Sequence, residues 1–177
     1  MDVRVMRPDE FEAMRDVSVA AFGDDQSIHR LLTAMRDSWS WEDQLSFVGE
    51  LDGELVGQVL YSHAILDAPE RLVDVLLLSP VGVRPDLQRS GIGSRMITES
   101  LAVLALRDEP LIFLEGHSGY YPRFGFTPAG QLGFTAPSAR IPPAAFMVHA
   151  LPNYQPWMTG GLVYPDVFWR TDAVGLR

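Results

Sequence analysis

Apolar and polar positions along this chain switch between two periods, and the switches outline the elements. Val3-Arg4-Val5-Met6 alternates with a period of two, the pattern of a short strand with one buried face. Arg7-Pro8-Asp9-Glu10 then reads as a helix start, because proline fits the first turn and acids there complement the helix dipole. The period lengthens after it: Phe11, Met14, Val17 and Ala21 form the stripe expected to face a core, and Gly23 stops the helix. A second helix is predicted from Ser27 to Asp37, with Ile28, Leu31, Leu32 and Met35 inward. Trp39 and Trp41 lie just beyond, in a connection that the pattern does not place.

The period then returns to two. Leu45 to Leu51 and Glu54 to Ile65 flank Asp52-Gly53, a strong hairpin signal. Gly57 inside the second arm predicts a bulge or a close backbone approach. After a turn at Asp67 to Glu70, a third long strand runs from Leu72 to Val83. Pro80 cannot donate a ladder hydrogen bond, so the strand is expected to bulge or splay at Ser79-Pro80-Val81. A polar turn, Arg84 to Ser90, leads to Gly91-Ile92-Gly93 and an amphipathic helix with Ile92, Met96, Ile97, Leu101, Leu104 and Ala105 at steps of mostly three and four. Arg107 to Pro110 makes a turn, and Leu111 to Leu114 is a short apolar strand suited to a buried position. The last third, rich in proline and aromatic residues, predicts a strand at Ala144 to Leu151 and another near Gly161 to Pro165.

Composition narrows the classes. With 177 residues the chain is most simply one domain, residues 1–177, long enough to bury a sizeable core. Without cysteine there is no disulfide framework and no thiol catalysis. No stretch approaches the roughly 20 apolar residues of a membrane span, and Met1-Asp2-Val3-Arg4 lacks a signal-peptide pattern, so the expected location is the cytoplasm. A net charge of −9 argues against nucleic-acid binding and favours cationic small partners. The four histidines show no metal-ligand spacing, so no metal is expected, and no Gly-x-Ser-x-Gly elbow is present.

Chemistry concentrates where the third strand meets the long helix. A strand, a glycine-bearing loop with an arginine, and a helix start make an anion site: the first helical N–H groups have no internal partner, and glycine lets a phosphate approach the backbone. A Walker loop needs a lysine, and all fourteen basic residues are arginine. A dinucleotide fingerprint wants a third glycine, but Met96 stands in its place after Gly91 and Gly93. What remains is Gln88-Arg89-Ser90-Gly91-Ile92-Gly93, preceded by Val81-Gly82-Val83. That order resembles the acetyl-CoA motif of the GNAT family of N-acetyltransferases, Q/R-x-x-G-x-G/A.

The resemblance implies an α/β fold, a central mixed β-sheet flanked by helices, with acetyl-CoA as cosubstrate. It assigns cofactor binding to Val81, Gly82, Val83, Gln88, Arg89, Ser90, Gly91, Ile92, Gly93 and Ser94. In the family the pantetheine arm fills a gap where one strand parts from its neighbour, and Val81 and Val83 stand where those backbone contacts fall. Tyr121 lies four residues before Gly125-Phe126, the family position of the general acid that protonates the departing thiolate. Tyr120 is the alternative, less favoured by spacing; Pro122 makes a short or irregular helix there. The glutamate that some members carry before the cofactor loop falls near Leu77 here, so no general base is named; Asp74 on the same strand reads rather as a surface or turn-facing aspartate, and His117, near Tyr121, rather as a solvated loop residue. The implied reaction is direct transfer of acetyl to an amine of a small molecule or peptide, in a branch known only as acetyltransferases of unassigned substrate. The alternative is a CoA-binding sensor or interaction module that has lost catalysis. Trp157, Tyr164, Phe168 and Trp169 either wall an acceptor pocket or, as favoured, pack over the sheet. The oligomeric state is open, a homodimer included.

Overall fold

The computed structural model describes residues 1–23 and 25–175. They divide into two compact units, residues 1–62 with 79–104 and residues 63–78 with 105–175. Strands β3 (Glu54–Asp67) and β4 (Leu72–Val83) each run from one unit into the other. The sheet is mixed and carries helices on its faces.

The first unit begins with β1 (Asp2–Val5), paired antiparallel with β2 (Ser46–Leu51), which pairs antiparallel with β3. The β2–β3 turn takes the expected form: Asp52 and Gly53 have φ of 53° and 84°, the left-handed pair that matches strand twist. Between Gly49 and Glu50 the register skips Val56, so the expected irregularity lies one residue from Gly57. The close approach is present as well. A Cβ on Gly57 would stand 2.8 Å from Met96 Sδ and 3.1 Å from Gly82 O, and one on Gly49, its partner, 2.9 Å from the same sulfur. Two facing glycines thus open the groove in which α3 (Ile92–Leu104) seats Met96. Farther along that face, the buried Tyr61 hydroxyl meets Ser100 Oγ at 2.8 Å.

Helix α1 (Phe11–Ala21) covers the opposite face of this unit, for a Cβ on Gly82 would meet Ala21 Cβ at 3.1 Å and Ser18 Cα at 3.5 Å. Its buried stripe is Phe11, Met14, Ser18 and Val19, while Val17 and Ala21, expected inward, are half-buried. The polar Ser18 is tolerated because its hydroxyl donates back to Met14 O at 2.9 Å. Helix α2 (Gln26–Arg36) starts one residue before the expected Ser27, capped by Asp25, whose carboxylate accepts from Ser27 N at 2.7 Å. Leu31, Leu32 and Met35 are buried as expected; Ile28 is half-buried. Trp41 packs edge-on against Phe11 at 5.6 Å, and Trp39 is exposed.

In the second unit β4 pairs in parallel with β5 (Leu111–Glu115), through Leu76 with Ile112 and Leu77 with Phe113. The antiparallel partner of β5 is β8 (Phe146–Ala150), which also takes up the two-residue β6 (Thr127–Pro128). The end of β3 pairs with β9 (Gly160–Val163), itself parallel to β7 (Phe134–Thr135). A short helix, α4 (Asp166–Arg170), follows. Leu111 to Leu114, Phe146 to Val148 and Phe168 are all buried.

Candidate functional site

In the first unit the end of β4 and the loop behind it carry all of Val81 to Ser94. Pro80 follows a cis peptide bond and does not end the strand, which continues to Val83. The N–H of Arg84 donates to Val56 O at 2.9 Å, so in the alternation of a strand the backbone groups of Gly82 and Arg84 turn toward β3. Those of Val81 and Val83 therefore turn to the other edge. The parallel register of β4 with β5 covers Leu76 and Leu77, well before that segment.

Arg84 does not supply the loop's free positive charge. Its guanidinium is spent on Asp86, at 2.8 and 3.0 Å, and on Glu54, at 2.9 Å. The Gln88 amide is likewise structural: it donates to Val83 O at 3.1 Å and Ala21 O at 3.3 Å, tying the loop to the strand end and to α1. Ser90 Oγ donates to Leu87 O at 2.5 Å. Arg89 is different. It is exposed, and among the described residues nothing engages its side chain.

The backbone beside it is turned for an anion. Arg89 and Gly91 have φ of 62° and 90°, left-handed conformations that rotate successive N–H groups toward one side. The bond from Arg95 N to Gly91 O, 3.0 Å, opens α3, so the N–H groups of Ile92 and Gly93 precede the first helical hydrogen bond. Met96, in place of a third glycine, is fully buried and faces the sheet. The loop thus gathers uncommitted N–H donors and one uncommitted guanidinium.

Tyr121 belongs to the second unit, in a single helical turn, Tyr121–Phe124, closed by Gly125 at φ 84°. That is the short helix Pro122 predicts. The ring lies against bare backbone: a Cβ on Gly116 would fall 2.3 Å from Tyr121 Cε2. Tyr120 and Phe126 hold it edge-on, at 5.1 and 5.8 Å. Burial, with Tyr120 alongside, pushes the Tyr121 hydroxyl up to about 12. It makes no hydrogen bond within the described residues. A phenol in this state keeps its proton across the physiological range and has it to give. Tyr120 is engaged otherwise, with the Arg123 guanidinium 4.8 Å over its ring.

Among the four C-terminal aromatics, Tyr164 and Phe168 are buried and pack together at 5.5 Å. Trp157 and Trp169 lie under Arg71 and Arg140, at 4.8 and 5.7 Å. The sequence reading passed over Glu115, at the end of β5. Burial pushes its carboxyl up against the pull of the Tyr164 hydroxyl, and Gly175 N donates to its Oε2 at 2.9 Å. Only the position of Glu115 at the end of an apolar strand could have marked it. Leu77, standing for the family glutamate, is buried at 1% exposure.

Comparison with known proteins bears on the family and the fold. Residues 2–129 match the model of the acetyltransferase (GNAT) domain. The uncharacterized N-acetyltransferase YjhQ of Escherichia coli K12 is 32% identical over 125 residues, 70% of this chain and 68% of that protein. A GNAT acetyltransferase of Brucella melitensis, solved in complex with acetyl-CoA, superposes with a TM-score of 0.72 at 28% identity, covering 94% of this chain and 97% of that one. The fold is also that of YhbS from Escherichia coli, solved in complex with CoA: TM-score 0.83, 22% identity, 96% and 92% covered. A mixed sheet, a glycine-arginine loop opening a long helix, and these relatives converge on one assignment: the chain belongs to the GNAT family of acetyltransferases.

Proposed function

We propose that this chain binds acetyl-CoA along Val81 to Ser94 and moves its acetyl group directly to an amine of a small molecule or peptide. One observation carries the reading: left-handed Arg89 and Gly91 lead into the N–H groups of Ile92 and Gly93 at the start of α3, beside an uncommitted guanidinium. That is a pyrophosphate cradle. Val81 and Val83, with backbone groups turned from β3, are the partners for the pantetheine amides, and Val81 N–H polarises the thioester carbonyl. The Brucella relative's complex with acetyl-CoA supports the choice of cosubstrate.

In the reaction the amine lone pair attacks the carbonyl carbon, a C–N bond forms, and the C–S bond breaks. Tyr121 gives its proton to the leaving thiolate; the amine's surplus proton passes to water, and water returns one to the Tyr121 oxygen. The scheme needs no metal and no nucleic acid, and it goes with a cytoplasmic enzyme.

Calorimetry with acetyl-CoA tests the first half. The unmodified protein binds, and Arg89→Glu weakens binding about tenfold or more by turning an attractive charge repulsive. No detectable binding by the unmodified protein overturns the reading. Buried Leu77 in place of a strand carboxylate favours the second reading, a silent CoA-binding module. That reading prevails if acetyl-CoA binds but a panel of polyamines, aminoglycosides and peptide N-termini releases no thiol.

A further inference from the structure

Gln58 has no explanation in the fold. It stands in the middle of β3, opposite Val48, and is 1% exposed. Strand alternation turns it away from Gly57 and α3, toward the face that α1 covers. Among the described residues neither its Nε2 nor its Oε1 meets a hydrogen-bond partner. A carboxamide offers two donors and two lone pairs, and burying all of them unmet disfavours folding. A leucine would serve the core better, so a glutamine here suggests a ligand that completes it.

Its neighbour says which ligand. The Nε2 atom lies 3.6 Å from where a Cβ on Gly82 would stand, an atom that glycine lacks. The amide therefore rests against the bare backbone of Val81-Gly82-Val83, the segment assigned to the pantetheine arm. A thioester carbonyl aimed at Val81 N–H lies beside the same stretch of backbone, off the edge of β4 turned from β3, so the carboxamide has to reach it across bare Gly82. With both amide atoms unengaged, no hydrogen bond within the described residues fixes which of them faces that backbone. Ser46 and Ser62, on the same sheet face, also have unmet hydroxyls, but Gly82 contacts neither of them within 4 Å among its nearest atoms.

We propose that Gln58 donates an Nε2–H hydrogen bond to the carbonyl oxygen of the acyl thioester, as a second donor beside Val81 N–H. The inference rests on the acetyl-CoA reading above. When the amine attacks, the carbonyl π electrons move to that oxygen, and the hydrogen bond strengthens as the charge grows. When the intermediate collapses the electrons return, the thiolate leaves, and the bond relaxes. The amide contributes no proton and keeps its charge state throughout.

Calorimetry with two probes tests it, because CoA has the arm and lacks the carbonyl. The unmodified protein binds acetyl-CoA more tightly than CoA. Gln58→Leu keeps the CoA affinity, loses about fivefold in acetyl-CoA affinity, and unfolds at no lower temperature. Gln58→Met serves if leucine does not fold there, and infrared spectra of carbonyl-labelled acetyl-CoA give an independent readout, the bound C=O band rising in either variant. Equal affinities for the two probes in the unmodified protein, or a ratio and a band that the substitutions leave unchanged, overturn the role of Gln58. Failure to bind either probe overturns the acetyl-CoA reading itself.

Discussion

Gly57 and Met96 set how closely α3 sits on the sheet, and a double-mutant cycle measures that fit. In Gly57→Ala the new Cβ stands 2.8 Å from Met96 Sδ, roughly 1 Å inside the ~3.5–4.0 Å optimum of nonbonded heavy atoms. The thioether is fully buried, seated over the backbone of Gly49 and Gly57 together, so it yields only by moving within a packed groove. Overpacking of this kind costs about 1–3 kcal/mol, and the stiffer unfolded chain returns about 0.4–1 of it. The net expectation is a loss of about 1–2 kcal/mol. Met96→Ala alone leaves a cavity and costs about 2–5 kcal/mol. In the Met96→Ala background the sulfur is gone; a tight 3.1 Å approach to Gly82 O and an ordinary 3.5 Å contact with Ile92 Cγ2 remain, and the stiffer unfolded chain offsets about 0.4–1 kcal/mol, so Gly57→Ala costs little. The two changes should thus couple by about 1–2 kcal/mol. Urea unfolding of the four proteins, followed by tryptophan fluorescence, gives all the terms. Equal costs of Gly57→Ala in both backgrounds, within about 0.5 kcal/mol, would refute the steric account of α3 seating.

Two further outcomes follow from side chains in one unit each. Tyr121→Phe should lower turnover about a hundredfold on any amine accepted, leave acetyl-CoA affinity unchanged, and not move the unfolding midpoint, since the hydroxyl has no protein partner to lose; unchanged turnover, read as thiol release, removes it from the reaction. In the β1–β2 corner Arg4 grips Glu10 at 2.7 and 2.8 Å and Glu50 at 2.5 Å, and the Arg4 guanidinium is the main cause that holds the Glu10 carboxyl down to about 2. A depressed carboxylate stabilises the fold above its unfolded value of 4.5 and loses that contribution as pH falls toward 2. Water at the rim screens the ~3 kcal/mol ceiling to about 1–2 kcal/mol. Glu10→Gln should therefore flatten the acid limb of stability between pH 4.5 and 2, and an acid titration by circular dichroism that leaves this limb unchanged refutes the pairing.

What the sequence made legible is what the chain builds locally. Asp52-Gly53 closes its own hairpin, and Gln88 to Gly93 reaches its helix start within six residues, so both could be read without knowing the rest. The α1 stripe was harder. Its inward face includes polar Ser18 in place of Val17, because back-bonding to Met14 O makes the serine acceptable and hydropathy does not register that bond. The two-residue strands β6 and β7 carry too few residues for any period, and only β8 and β9 define them. Gln58 was invisible for a further reason. A glutamine in a strand reads as a solvent-facing residue until α1 is known to cover that face.

The same contrast bears on the proton that the amine must lose. The family position for a strand carboxylate holds Leu77, packed in the β4–β5 pair at 1% exposure, so no base stands there. Tyr121, pushed up to about 12 by burial, keeps its proton at physiological pH and so takes none from an ammonium. Glu115 has a carboxyl raised by burial, but its Oε2 already accepts from Gly175 N–H. An acceptor that arrives neutral needs none of these groups. On the proposed reading catalysis lies in holding the carbonyl and protonating the thiolate, and the pH at which the amine itself deprotonates should set the rate. The expected outcome is that amines of low basicity react faster than strongly basic ones at neutral pH, and thiol-release rates across an amine series that do not follow acceptor basicity would refute it.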